Sequence, residues 1–209
     1  MGTDNLFGLE TLHICFIKSS FEIVQVELGS IINETLTKNW HKGSYLIQEE
    51  NINDFFSSNN HTDRVKCLLW ESKSINFEMV VFLTNMPDGW LTLLNLYFKR
   101  YKHEIIRIAL SDSGNKFPFY LYEQIQEDNH RIIQVLKEDS EWKFFQRGSL
   151  LPFENSIFYK KRRIADRLNN GIIKQYLRKN KIDIDNLNFW RSNDNCIMYW
   201  INIGDKTTI

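Results

Sequence analysis

Several places in the 209-residue sequence set side chains at spacings that could do chemistry. In "HIC", His13 and Cys15 alternate, so a strand would place both on one face, where imidazole and thiolate can ligate zinc. In "DID", Asp183 and Asp185 are two carboxylates spaced to chelate a divalent cation. In "SDSGN", Ser111, Asp112 and Ser113 crowd hydroxyls around a carboxylate. In "YKKRRIADR", Tyr159 to Arg167, four basic residues stand in a row and a fifth closes the run, which suits phosphate or an acidic partner.

Most of these weaken against their surroundings. Zinc sites come as CxxC or HxxxH pairs, and neither His13 nor Cys15 has such a second pair, so core packing accounts for both. Asp183 and Asp185 lie in a polar loop before "NLNFW", and Gly114 and Asn115 mark "SDSGN" as a hairpin turn. The nine glycines are scattered, with no GxGxxG, GxxxxGK or GxSxG. No metal, no cofactor and no catalytic residue is therefore expected. An enzyme reading requires residues that converge only in three dimensions, from His13, His103 and carboxylates of the central strands.

The basic run depends on the element that carries it. The pattern predicts a helix over about 156–168, on which Ile164 and Leu168 fall within about 20° of Ile157. Phe158 and Ala165 widen this apolar stripe, and Lys160, Arg163 and Arg167 gather on the opposite flank. Arg162 can reach Asp166 at i+4 and Arg163 can at i+3. Lys161 is the misfit, because it falls inside the stripe. A solvated amphipathic helix is the first reading of this run. The second is a basic ridge that meets a partner, with Lys160, Arg163 and Arg167 as the contact residues.

The charge is segregated. Net charge is zero, yet residues 151–181 carry nine Lys and Arg against only Glu154 and Asp166. A neutral total argues against strong non-specific nucleic-acid binding, while the local excess leaves a focused site. Hydrophobic residues make up 43% and aromatics 14%, which is the composition of a packed domain. No apolar run approaches the ~18 residues of a membrane span, and "MGTDNLFGLE" lacks the regions of a secretory signal. Three cysteines far apart in sequence suit reduced thiols, hence a cytoplasmic protein.

The elements follow from periodicity. "TLHICFIKSS" reads as a first strand, and "SSFE" as a capping box opening a short helix that ends at Gly29. Residues 30–64 show little periodicity, with "NINDFF" as a helical turn and "SSNNHTD" as a loop. "VKCLLWES" and "FEMVVFLTN" form a hairpin. In "MPDGWLTLLNLYFKRYK", Pro87 stops the strand and Asp88 caps a helix over 88–101 that is apolar on most sides, so it should be buried between the sheet and another element. "EIIRIALS", "PFYLYEQIQ", "RIIQVLKED" and "EWKFFQRG" read as a meander, a helix at 171–180 follows, and "NCIMYWINI" returns as a last strand. The sum is a single α+β domain over 1–209, with a mixed, largely antiparallel sheet, a buried central helix, and a helical section at about 154–181 on one face.

The section "LKEDSEWKFFQRGSLLPFENSIFYKKRRIADRL", together with "MPDGW" before a buried helix, resembles small standalone bacterial immunity proteins of polymorphic toxin systems. The resemblance covers about the last two-thirds of the chain. It implies a cytoplasmic, non-catalytic domain that binds and occludes one cognate toxin. Strongly acidic members neutralise basic nucleases, and this chain is not acidic. The alternative partner is nucleic acid, through Lys160, Arg163 and Arg167 helped by Lys174, Arg178 and Lys179.

Overall fold

The computed structural model describes residues 10–35, 42–46, 64–112 and 114–202. The expected turn at "NINDFF", the loop at "SSNNHTD" and Ser113 lie outside the described residues. In chain order the elements are β1 (Thr11–Ile17), α1 (Phe21–Thr35), β2 (Lys42–Leu46), β3 (Arg64–Ser72), β4 (Val80–Thr84) and α2 (Leu91–Tyr101). Then come β5 (Ile105–Ser111), β6 (Phe119–Ile125), β7 (His130–Glu138), β8 (Glu141–Arg147), α3 (Asn170–Lys179) and β9 (Ser192–Asn202). Short 3-10 turns occupy 158–160, 164–166 and 187–190.

The strands form one nine-stranded sheet in the order β2-β9-β3-β4-β1-β5-β6-β7-β8. Every described pairing is antiparallel, so the α+β class holds and the sheet is more uniform than the mixed one expected. β1 sits centrally because both of its faces are apolar. Leu12, Ile14 and Phe16 enter one core, while Cys15 and Ile17 enter the other.

Each face is covered by a different part of the chain. α1 and α2 lie side by side on the face that carries Cys15, Val80, Phe82 and Ile105. The opposite face is covered by the section after β8, through Leu168, Ile173, Tyr176, Leu177 and Phe189. Trp70 anchors this second core, its Nε1–H donating to the Phe189 carbonyl at 3.1 Å. α3 is headed by Asn169, whose side chain accepts from Ile172 N, and it matches the expected helix to within a residue.

Two helices differ from expectation. α1 does not stop at Gly29 but runs on to Thr35, and its first bond, Val24 N to Ser20 O at 3.1 Å, makes Ser20 its head instead of Ser19. Gly29 is helical and packs against Tyr199. A β-carbon there would stand 3.4 Å from the Tyr199 hydroxyl, which donates to Gln25 O at 2.9 Å. α2 is not sandwiched. Leu93, Leu94 and Tyr97 are buried, while Leu91 and Leu96 are 38% and 40% exposed, so one side meets the sheet and the other meets solvent. Asp88 does not cap it either. Its carboxylate accepts from Trp90 N at 2.9 Å in a tight turn, and Trp90 enters the helix in the left-handed region at φ 56°. No described helix is long and apolar enough to cross a membrane.

Candidate partner-binding surface

The surface that the basic run occupies is built on the last hairpin of the meander. β7 and β8 join through Asp139 and Ser140, both at positive φ (48° and 70°), which is the twist a two-residue hairpin needs. β8 is the outermost strand on its side of the sheet. Trp142 and Phe144 pack partly beneath the section that follows, whereas Lys143, Phe145 and Arg147 point to the other side and are exposed. At Gly148 the chain turns under β7 with φ 86°. A β-carbon there would stand 2.1 Å from the His130 carbonyl oxygen, so only glycine fits.

An ion pair holds the returning chain down. Arg131 projects from β7 to the same side as Ile133 and Val135, and its guanidinium meets Glu154 through Nε–Oε1 at 2.8 Å and Nη2–Oε2 at 2.7 Å. Its remaining donors reach the carbonyls of Arg147 and Gly148, both at 3.2 Å, and Gln146 Oε1 at 2.9 Å. Glu154 also accepts from Leu151 N at 2.9 Å and from the Tyr159 hydroxyl at 2.6 Å, and Tyr159 in turn meets the Tyr176 hydroxyl at 2.8 Å. Burial, then the neighbouring Glu154 carboxylate, push the Tyr159 phenol well above the tyrosine range and keep it a donor. Sequence reasoning did not find this pair. The signal was an arginine at an inward position of an apolar strand, which demands a buried partner, but nothing local says that the partner is 23 residues on.

The run itself is not a helix. Residues 158–160 and 164–166 form two single 3-10 turns, and Lys161 between them is extended at φ −59° and ψ 142°. A continuous helix would have driven Lys161 into the apolar stripe at a desolvation cost. The break turns it outward instead, its ammonium 4.9 Å from the Phe158 ring centroid. Lys160, Lys161, Arg162 and Arg163 are thus consecutive and all exposed, while Tyr159 and Leu168 bury the ends.

The three expected contact residues part company. Arg163 is open, its side chain 80% exposed with Asp166 at 3.9 Å, and Arg162 does not form the expected pair with that carboxylate. Lys160 lines a cavity of about 440 Å³ together with Arg147, Leu150 and Tyr159. Arg167 is committed elsewhere. Its Nε donates to the Lys161 carbonyl at 2.9 Å and its guanidinium lies 5.2 Å over the Phe144 ring, so it fastens the turn. Two exposed apolar side chains lie on the same stretch as these cations, Leu150 at 54% and Ile157 at 69%, while Phe145 at 47% is exposed on the other side of β8.

The remaining candidates are also placed. Asp185 meets Lys174 at 2.9 Å and Arg178 at 2.6 Å, and Asp183 meets Arg178 at 3.3 Å, so this pair neutralises α3 cations that the nucleic-acid reading had counted on. Among the described residues no three of His, Cys, Asp and Glu stand together as a metal ligand set. Of the residues the enzyme reading drew on, His103 lies against α1 and Tyr97, while Arg107 stands between the His13 cavity and Glu123. His103 pairs with Glu27 of α1 at 2.9 Å, while Glu123 is shared between Arg107 at 2.8 Å and His130 at 2.7 Å. His13 lines a cavity of about 350 Å³ with Asp88, Leu91, Arg107 and Phe119. Burial and then the Arg107 charge lower its imidazole from 6.5 to about 4, against an upward push from Asp88, which leaves a neutral ring and a weak base. Cys15 is buried and its thiol is pushed far up by desolvation, the reverse of a metal-binding or nucleophilic thiolate.

No family model matches the chain, and no curated protein or solved structure matches it.

Proposed function

We propose that this is a non-enzymatic binding protein of the immunity type, which engages and neutralises a cognate toxin through the surface formed by β8 and residues 148–163. The observation that carries the reading is the combination at this surface. Lys160 and Arg147 share a cavity with the exposed Leu150, and the exposed Ile157 stands just ahead of the four consecutive exposed cations. Apolar anchors rimmed by one sign of charge are the anatomy of a steered protein interface. The partner that suits it presents an acidic face with an apolar centre.

Co-expression with the product of the adjacent gene, followed by pull-down and a cell-survival assay, tests this. The expected result is co-purification and protection, both weakened by the double substitution Lys160→Glu and Arg163→Glu. Recovery of the protein alone, with no protection of the cells, overturns it.

The same four cations favour a second reading, nucleic-acid binding. Phosphate contacts would make affinity fall steeply with salt. The exposed apolar side chains on the same stretch as the cations favour a protein partner, and the pairing of Lys174 and Arg178 with Asp183 and Asp185 removes two of the helpers. Titration with short duplex and single-stranded probes at low salt separates the readings, because the protein-partner reading expects no binding at micromolar protein.

A further inference from the structure

We infer that β8 is a docking edge, to which an acidic, extended segment of the partner protein adds as a tenth strand. This rests on the proposed function and specifies how its surface is used.

With a two-residue turn, Glu138 and Glu141 exchange both of their backbone bonds, and pairing alternates from there along the hairpin. Lys143, Phe145 and Arg147 therefore spend their N–H and C=O groups on β7. The N–H and C=O groups of Trp142, Phe144 and Gln146 point away from the sheet. No backbone group meets them among the described residues. The ladder runs from Glu138↔Glu141 to Ile132↔Arg147 without a register shift, and neither proline nor glycine interrupts β8. An edge this regular is a template for another strand.

Charge decides what that strand is. A segment laid beside β8 meets Lys143 and Arg147 on one side of the sheet. On the other it meets the turn that carries Lys160, Lys161, Arg162 and Arg163, which is held against β8 by Arg167 over Phe144. The carboxylates nearby are Glu138, paired with Lys143, Asp139 and Glu141 at the hairpin end, and Asp166 beside Arg163. The excess is positive and rises toward Arg147. It would repel a second copy of this strand and attract an acidic one.

The probe is a capped peptide of about eight residues alternating Glu and Val, long enough to span β8. Hydrogen exchange on the unmodified protein should slow at the amides of Trp142, Phe144 and Gln146, and not at those of Lys143 and Phe145, when the peptide is added. Gln146→Pro removes one outward N–H, whereas Gln146→Ala loses the same contact with Arg131 but keeps the N–H. The proline variant should bind roughly tenfold more weakly than the alanine variant. A peptide with Gln in place of Glu should not bind.

Peptide binding without protection of the three outward amides overturns the inference. So does no binding, displacement of the peptide by duplex DNA, or protection that appears without peptide and grows with protein concentration, which would mark self-pairing. If the inference fails while co-purification and cell protection persist, the proposed function stands and only its strand-addition mode is lost.

Discussion

Arg131 and Glu154 face each other in a dry setting, joined at two points, with their side chains 2% and 0% exposed. Through this pair the chain that leaves β8 at Gly148 is fastened back onto β7 before it reaches the basic run. The exposed cations are therefore presented by a turn with a fixed floor.

Removing Glu154 leaves a buried guanidinium and the Tyr159 hydroxyl without their acceptor. Glu154→Ala should cost about 3–5 kcal/mol, read as a shift in denaturant midpoint at unchanged slope. Glu138→Ala, which breaks the exposed pair with Lys143, should leave the midpoint where it is.

The one-sided packing of α2 is open to a paired test. Leu94, 2% exposed, should cost about 2–5 kcal/mol when cut to alanine, while Leu96, 40% exposed, should cost no more than about 0.5 kcal/mol. Equal losses would mean that both sides of the helix are packed. Arg163→Ala should leave the thermal midpoint unchanged.

The contrast between these leucines shows where the sequence was legible. Short runs rich in β-branched and aromatic residues, bounded by turn residues, are a local signal, and they located β1, β3 through β8 and β9, because each strand needs only its own residues to read as one. Helix burial is a tertiary property. "WLTLLNLYF" is apolar on most sides, yet only Leu93, Leu94 and Tyr97 are fully buried, against the sheet and α1, while Leu91 and Leu96 stay exposed. The basic run misled for the opposite reason. Its helical stripe was real, but burying Lys161 would have cost more than breaking the helix, and that decision lies in the floor made by Arg131, Glu154 and Tyr159. β2, whose only described partner strand is β9, gave no periodic signal in five residues.

His13 supplies a pH dependence. Its folded value of about 4 lies below the ordinary 6.5, so the unfolded chain binds the extra proton between these limits and stability falls as pH drops through that window. The loss at full protonation is on the order of 3 kcal/mol. Denaturation midpoints at pH 7 and near pH 4 should therefore differ more for the wild type than for His13→Gln. Parallel pH profiles for the two would show that the ring is not desolvated.

The three thiols give a chemical test of the same cores. Cys15, Cys67 and Cys196 are all buried, and desolvation raises each, Cys196 to about 12. Iodoacetamide at pH 8 should leave all three unmodified in the native protein by mass spectrometry, and label all three in denaturant. Rapid native labelling of Cys67 would mean that the contact between β3 and β9 opens readily.

The position of β9 between β2 and β3 has a consequence for how the protein is made. β5 through β8 pair with their neighbours in chain order and can assemble as they leave the ribosome. β3 cannot complete its ladder until residues 192–202 have been synthesised and inserted beside it. Until then β3 offers a bare apolar border containing Val65, Cys67 and Leu69 to whatever is near. Slow codons or a stall within residues 182–202 should therefore lower soluble yield far more than the same delay placed between β5 and β8, because the first prolongs an adhesive half-sheet and the second does not.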